Sequence, residues 1–381
     1  MNYLTVDLYH DFTCIADACP NTCCAGWAIR IDNETYEKML SNEDKLGIPT
    51  DDWIAREDGK CIVKLNRSGQ CPLLNENNLC KVVLSLGSSY LSNVCTVYPH
   101  IQLRYGNILE GYLTPSCPEV IARLMHKDKV YFDFSEHDGS ASPYPYAKLY
   151  LYESAVRTSI TELLYDFCDI SLGTRLFIAF RIINEAISHC TKDTPDFRTI
   201  KSLIDSFYLD GIMISWDNQL KYVVSGSSRY HFLRQVISLL PDIVTSVTPH
   251  KYVNLLDQTV SYFVQTDFEQ YLKDIASFKE EIKSYHNFYT NYWVYRIFFE
   301  LISIPDYSKI KDNFIFACIE FCLMQIIALA SYAQNQTLDR NEYIYIISAV
   351  SRMEHSSRQK LVQQLQDNNL ISGAGLLLLI I

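Results

Sequence analysis

Four cysteines fall within eleven residues near the start of the chain. They are Cys14, Cys19, Cys23 and Cys24, and Gly26-Trp27 follows almost directly. Five more, Cys61, Cys71, Cys80, Cys95 and Cys117, precede residue 118, so nine of the thirteen cysteines lie in the first third of the chain. Clustered thiols serve as disulfides in oxidising compartments or as metal and iron–sulfur ligands in reducing ones. Residues 1–13 carry Asp7, His10 and Asp11, with no basic start and no apolar run of signal-peptide length. The expectation is therefore a cytoplasmic chain whose thiols are candidate metal ligands. The spacing Cys14-x4-Cys19-x3-Cys23-Cys24 is not the pair of separated Cys-x2-Cys units usual for tetrahedral zinc. Nor is it the Cys-x3-Cys-x2-Cys spacing of radical-generating clusters. Adjacent side chains point apart, so Cys23 and Cys24 are expected to serve one metal unequally. The candidate ligands are Cys14, Cys19, Cys23, Cys24, Cys71, Cys80, Cys95 and Cys117, more than one four-cysteine site needs. Buried inert cysteines and a disulfide network are the competing readings.

These thiols must be positioned by short elements. Residues 1–145 hold eight of the twelve prolines and eight of the thirteen glycines, which reads as short elements joined by turns. Trp27 to Ile31 and Lys60 to Leu65 are expected strands. Asp32 is placed to cap a helix from Asn33 to about Leu40. Cys80 opens a short helix, Lys81 to Leu86, that stops at Gly87. Ser116-Cys117-Pro118-Glu119 has the form of a capping box, which places Cys117 at a helix start where backbone N–H groups favour a thiolate. Beyond residue 145 the pattern is helical, with expected helices at 146–168, 174–191, 196–208, 228–240, 249–265, 267–303, 312–334, 338–352 and 355–367. The fold class expected is mainly α: a small cysteine-rich α+β domain over 1–137, a linker over 138–145, an all-helical domain over 146–371 and an apolar tail over 372–381.

Several functions are disfavoured. A net charge of −11 without a Lys/Arg-dense run argues against nucleic-acid binding. The longest apolar run, Ile315 to Ala330, contains Glu320 and Gln325 and reads as a buried core helix rather than a membrane span. Gly373-x-Gly375 has no strand and helix around it, so it is not a dinucleotide loop. No Gly-x-Ser-x-Gly is present for a serine hydrolase. His10, His126 and His250 show no pairing at ligand spacing. The aromatic run Tyr285 to Tyr295 reads as core packing or, alternatively, as a ring-lined groove able to hold a cation.

The pattern Phe12-x-Cys14-Ile-x3-Cys19-x3-Cys23-Cys24-x-Gly26-Trp27-x-Ile29-x-Ile31-Asp32-x2-Thr35-Tyr36 resembles the opening of the flagellin lysine-N-methylase family. The resemblance continues through Cys71-Pro72-Leu73-Leu74, Leu79-Cys80, Leu86-Gly87, Cys95-Thr96-x-Tyr98-Pro99, Arg104-Tyr105-Gly106 and Ser116-Cys117-Pro118-Glu119. It covers residues 12–119; the helical remainder resembles the family in length and character. The same cysteine pattern marks a broader group of zinc- or iron-chelating domains. Two departures stand out: His100 where the family has Arg, and Pro20-Asn21 where acidic residues are usual. The resemblance implies an S-adenosylmethionine-dependent protein lysine N-methyltransferase with flagellin as substrate. It also implies an iron–sulfur cluster, 4Fe–4S by expectation, with zinc the alternative. A non-enzymatic metal-binding module on a helical scaffold is the second reading. The reaction asked for is polar displacement at a methyl carbon, and it requires a deprotonated lysine amine whose unperturbed pKa is about 10.4. The sequence locates neither the donor pocket nor the base.

Overall fold

The computed structural model describes residues 2–57, 59–136, 144–190, 195–208, 211–224, 227–245, 248–299, 309–353 and 355–371. Most of the expected linker and the apolar tail with Gly373-x-Gly375 lie outside these residues. The fold is mainly α, with two small sheets near the N-terminus.

The strands are β1 (Asn2–Val6), β2 (Arg30–Ile31), β3 (Ile54–Glu57), β4 (Lys60–Val63), β5 (His100–Tyr105), β6 (Ile108–Leu113) and β7 (Phe132–Glu136). One sheet has the order β2-β4-β3 and is antiparallel, with Arg30 opposite Ile62. It sits over a local core of Ile29, Tyr36, Met39, Trp53, Cys61 and Val63. The Asn33–Leu40 helix closes this core, and the Asp32 carboxylate accepts the Thr35 N–H at 2.7 Å, the cap expected from the sequence. The other sheet has the order β5-β6-β1-β7, with β1 parallel to β6 and antiparallel to β7. Its β5–β6 hairpin turns on Gly106-Asn107, and Gly106 has a φ of +63°, the sign that two-residue hairpin turns demand. This hairpin was absent from the sequence expectation although Gly-Asn between alternating runs is its usual signal.

Residues of this second sheet belong to the large helical core. Val6, Leu113, Val120, Ile121 and Leu124 are buried together with the helices that follow. Glu110 on β6 is almost wholly buried and receives Arg157 Nη1 at 2.9 Å, Arg157 Nη2 at 2.6 Å and the Tyr150 hydroxyl at 2.7 Å. This bidentate pair ties the sheet to the Ala147–Asp166 helix.

The helical half runs close to expectation, with two differences. The stretch expected as one helix over 267–303 is broken by a 3-10 turn at Ile282–Tyr285 into Phe268–Glu281 and His286–Phe299, the last residues lying outside the description. A helix at Ile212–Val224 was not anticipated, although Met213, Trp216 and Leu220 repeat at helical spacing. Lys309–Asn335 is long and apolar enough to cross a membrane, but it is a core helix: 89% of its most apolar window is buried in the protein. Its Glu320 pairs inside the core with Arg296 at 2.6 Å and Arg358 at 3.3 Å. The aromatic run resolves in favour of packing. Phe288, Tyr292, Trp293 and Tyr295 are buried, and the Tyr295 hydroxyl bonds the Leu113 backbone, whereas Tyr289 lines a chamber with Tyr271, Phe278 and Phe321.

Candidate functional site

All thirteen cysteines are free thiols, so the disulfide reading fails. The fold gathers the eight candidate ligands into two neighbourhoods joined by the adjacent pair Cys23-Cys24. In the first, Cys71 is pushed up to about 12 by burial, and the charges of Cys24, Cys80 and Cys95 push the same way. Burial also raises Cys80 and Cys95, each of which feels Cys24. Cys24 is raised most, by its hydrogen bond with the Cys23 thiol and then by burial. In the second neighbourhood, burial pushes Cys117 up to about 11, and Cys19 adds to it. Cys19 in turn feels Cys14 and Cys24. Cys61 stands apart, buried in the small core with its thiol 3.6 Å from Asn33 Oδ1.

Local structure explains these placements. Cys80 is the N-cap residue of the Lys81–Leu86 helix; its thiol makes no capping hydrogen bond, and the nearby N–H groups of Val82 and Val83 only oppose the rise that burial causes. Cys117 is the N-cap of Pro118–Met125; its thiol makes no capping hydrogen bond, and the nearby N–H groups of Val120 and Glu119 only oppose the rise that burial causes. The expected capping box is therefore displaced by one residue. Ser116 instead bonds Thr114 at 3.0 Å, and Glu119 pairs with Arg123 at 2.8 Å rather than reaching back. The N–H of Leu73 serves Cys71, and the Ser92 hydroxyl serves Cys95. Donors of this kind favour thiolates, the ligand form, but they only partly offset burial, which leaves each of these thiols raised. The donor chemistry thus fits a thiolate-bound centre. The array is open: among the described residues no group of three or more His, Cys, Asp or Glu is drawn close enough to hold a metal ion.

Arg352, at the end of the Arg340–Ser351 helix, holds the cysteine loop against the helical half. Its Nη1 donates to Asn21 Oδ1 at 3.1 Å, Thr22 O at 2.6 Å and Ala25 O at 3.2 Å. Its Nη2 donates to Asn21 O at 3.1 Å and Ser116 O at 2.8 Å. Asn21, one of the departures from the family pattern, is buried and also donates to Ser348 Oγ at 3.0 Å. Gly26 completes this junction. Its φ is +79°, and a Cβ there would stand 2.9 Å from the Pro249 ring, so a side chain is excluded by conformation and by space. Nothing in the sequence marks Arg352, a lone basic residue at a helix end.

A cleft of about 540 Å³ opens where these parts meet. Trp27, Tyr98 and Met353 line it, with Arg30, His100 and Arg352 as its charged or basic groups among the described residues. Trp27 and Tyr98 have ring centroids 6.1 Å apart and tilted by 31°. The Trp27 indole N–H donates to Cys23 O at 2.7 Å, which fixes its ring beside the thiols. Tyr98 is raised by burial and feels both Cys117 and Cys23. His100, the second departure, has Nε2 3.1 Å from Tyr9 O. A carbonyl only accepts, so Nε2 is the donor in this contact. Tyr9 and Phe12 pack edge-on against the imidazole and hold its plane.

A family model described as FliB lysine N-methylase C-terminal domain matches residues 162–379. The flagellar biosynthetic protein FliU of Salmonella muenchen is 34% identical over 126 residues, 30% of this chain and 72% of FliU. The lysine-N-methylases of Salmonella typhimurium and Salmonella choleraesuis are 32% and 33% identical over 126 residues, and each match covers 30% of this chain and 30% of the relative. The aligned stretch is thus under a third of either methylase's length. No solved structure matches the chain. The family model spans more than half of the sequence, and the chain belongs to the FliB lysine N-methylase family.

Proposed function

We propose that the protein is an S-adenosylmethionine-dependent protein lysine N-methyltransferase acting on flagellin. In this reading the reaction takes place in the cleft between the cysteine loop and the end of the Arg340–Ser351 helix. The observation that carries the proposal is the position of this cleft. In a chain of this family it lies where the cysteine motifs meet the helical half, next to the thiols, and it combines aromatic walls with an oriented imidazole.

The cleft's residues suit a polar methyl transfer. With two arginines in the lining, a lysine ammonium is disfavoured there and the uncharged amine preferred. The amine nitrogen's lone pair forms the new N–CH₃ bond while the C–S bond breaks and its electron pair stays on the donor sulfur. The surplus proton on nitrogen passes to His100 Nδ1, and the Tyr9 carbonyl supports the resulting imidazolium through Nε2. The rings of Trp27 and Tyr98 keep bulk water from the path. Cys24, Cys71, Cys80 and Cys95 are the set that would hold a metal or iron–sulfur centre, with Cys14, Cys19, Cys23 and Cys117 a second set. When bound, such a centre supplies a covalent tie among loops that are otherwise short and turn-rich.

The test is a rate comparison on unmodified flagellin, with peptide mapping of added methyl mass. Wild-type protein purified without oxygen should methylate lysine side chains. His100→Ala should slow the transfer roughly 10²-fold while leaving donor binding intact. Equal rates for the two would remove His100 from the mechanism. Donor-independent metal binding with no methylation of any protein would favour the metal-module reading.

A further inference from the structure

Within the cleft, one cation stands without a partner. Arg30, on the exposed edge strand β2, lines the cleft, and its guanidinium makes no hydrogen bond or ion pair among the described residues. Arg352, the other arginine, is committed: its two terminal nitrogens are spent on the backbone and side chain of the cysteine loop and on Ser116. Among the described residues, the cleft therefore has one uncommitted cation and, also in its lining, the ring pair Trp27–Tyr98. Val97 adds exposed apolar surface to the lining, at 43% exposure. A carboxylate at one end and a flat apolar body with a soft cation at the other would satisfy all of these groups together. A free lysine side chain would satisfy only the rings and would leave Arg30 without a counter-charge.

Accepting donor dependence as proposed above, we infer that this cleft is the methyl-donor subsite. Arg30 takes the α-carboxylate of S-adenosylmethionine, and the Trp27 and Tyr98 rings take its sulfonium and base. The volume suits the occupant, since pockets for small molecules run from roughly 300 to 1,000 Å³. The chemistry also suits it: an arginine fork matches a carboxylate in two parallel bonds, and an aromatic face attracts a cation within about 6 Å. The target lysine then approaches from the open side of the cleft.

The test is calorimetric titration of the full-length, metal-loaded protein with S-adenosylmethionine, S-adenosylhomocysteine and decarboxylated S-adenosylmethionine. Arg30→Ala should weaken the first two roughly ten- to a hundredfold, the span expected for a hydrogen-bonded charge. It should leave the decarboxylated analogue within about twofold of wild type, because the bond it removes is absent there. Arg30→Lys should recover part of the loss. Arg229→Ala, in a separate chamber of the helical half lined by Tyr271 and Phe278, should bind all three as wild type does. Arg30 is exposed on a short edge strand, so its variants are expected to fold, and melting curves check that. Wild-type affinity in Arg30→Ala, or a loss in Arg229→Ala instead, overturns the placement. A rise in KM for flagellin with donor affinity unchanged would give the cleft to the target lysine and also overturn it. No binding of any of the three nucleosides by wild type would instead strike the donor dependence on which the inference rests.

Discussion

Among single residues, the cysteines separate by what surrounds the sulfur. Cys95 and Cys23 stand in the two thiol neighbourhoods, while Cys61 and Cys190 are set in packing positions. Cys95→Ser and Cys23→Ser should lower bound metal and melting temperature. Cys61→Ser and Cys190→Ser should retain full metal at a packing cost of about 1 kcal/mol. Metal analysis alongside melting curves decides this, and equal metal in all four would remove the assigned ligands. The sequence made eight thiols candidates, because ligand chemistry is written in residue type and spacing. It did not show their division into two sets, because that depends on where Cys71, Cys80, Cys95 and Cys117 fall relative to residues 14–24 in space. It also left Cys117's cap one residue out of register. Ser116 can be satisfied locally by Thr114, and nothing local to the tetrapeptide reveals that alternative.

At the level of elements, the deciding contact is the grip of one helix end on one loop. Arg352 satisfies backbone carbonyls of Asn21, Thr22, Ala25 and Ser116, which come from two separate segments. Arg352→Ala should leave these acceptors without their charged donor. A loss of about 1.5–3 kcal/mol is the scale for one such bond, and faster proteolytic nicking within residues 14–25 should accompany it. Arg352→Lys should not restore stability, because a single ammonium cannot span acceptors that a guanidinium reaches from two nitrogens. A lysine variant as stable as wild type would show that the grip is weak. Most helices were legible from periodicity and from Pro and Gly punctuation. The break at Ile282–Tyr285 was not, because no proline or glycine marks it. The family signal shows a similar limit. The motifs that carry the resemblance lie in residues 12–119, whereas the family model matches 162–379.

Across the whole molecule, stability carries a buried titratable group. Glu153 is about 1% exposed, and neither carboxylate oxygen has a hydrogen-bond partner among the described residues. Burial raises it from 4.5 to about 8, with Glu110 adding to the rise and Arg157 opposing it. The sign follows from proton counts. Between these two values the folded protein holds the proton and the unfolded chain does not, so stability falls as pH rises, by up to about 1.4 kcal/mol per unit. The fall levels off above roughly pH 8. Glu153→Gln should flatten the dependence of melting temperature on pH between 5 and 8 and should exceed wild type at the upper end. An unchanged slope would mean that Glu153 ionises freely in the folded protein.

The central claim, methyl transfer to a protein lysine, is tested most directly by label. Flagellin lacking modification is incubated with the metal-loaded protein and trideuteromethyl-labelled S-adenosylmethionine, then digested and mapped by mass spectrometry. The account predicts the labelled methyl on lysine side-chain nitrogens, absent when the protein is heat-unfolded beforehand. Folded, metal-loaded protein that binds the donor yet leaves every flagellin lysine unlabelled would contradict it.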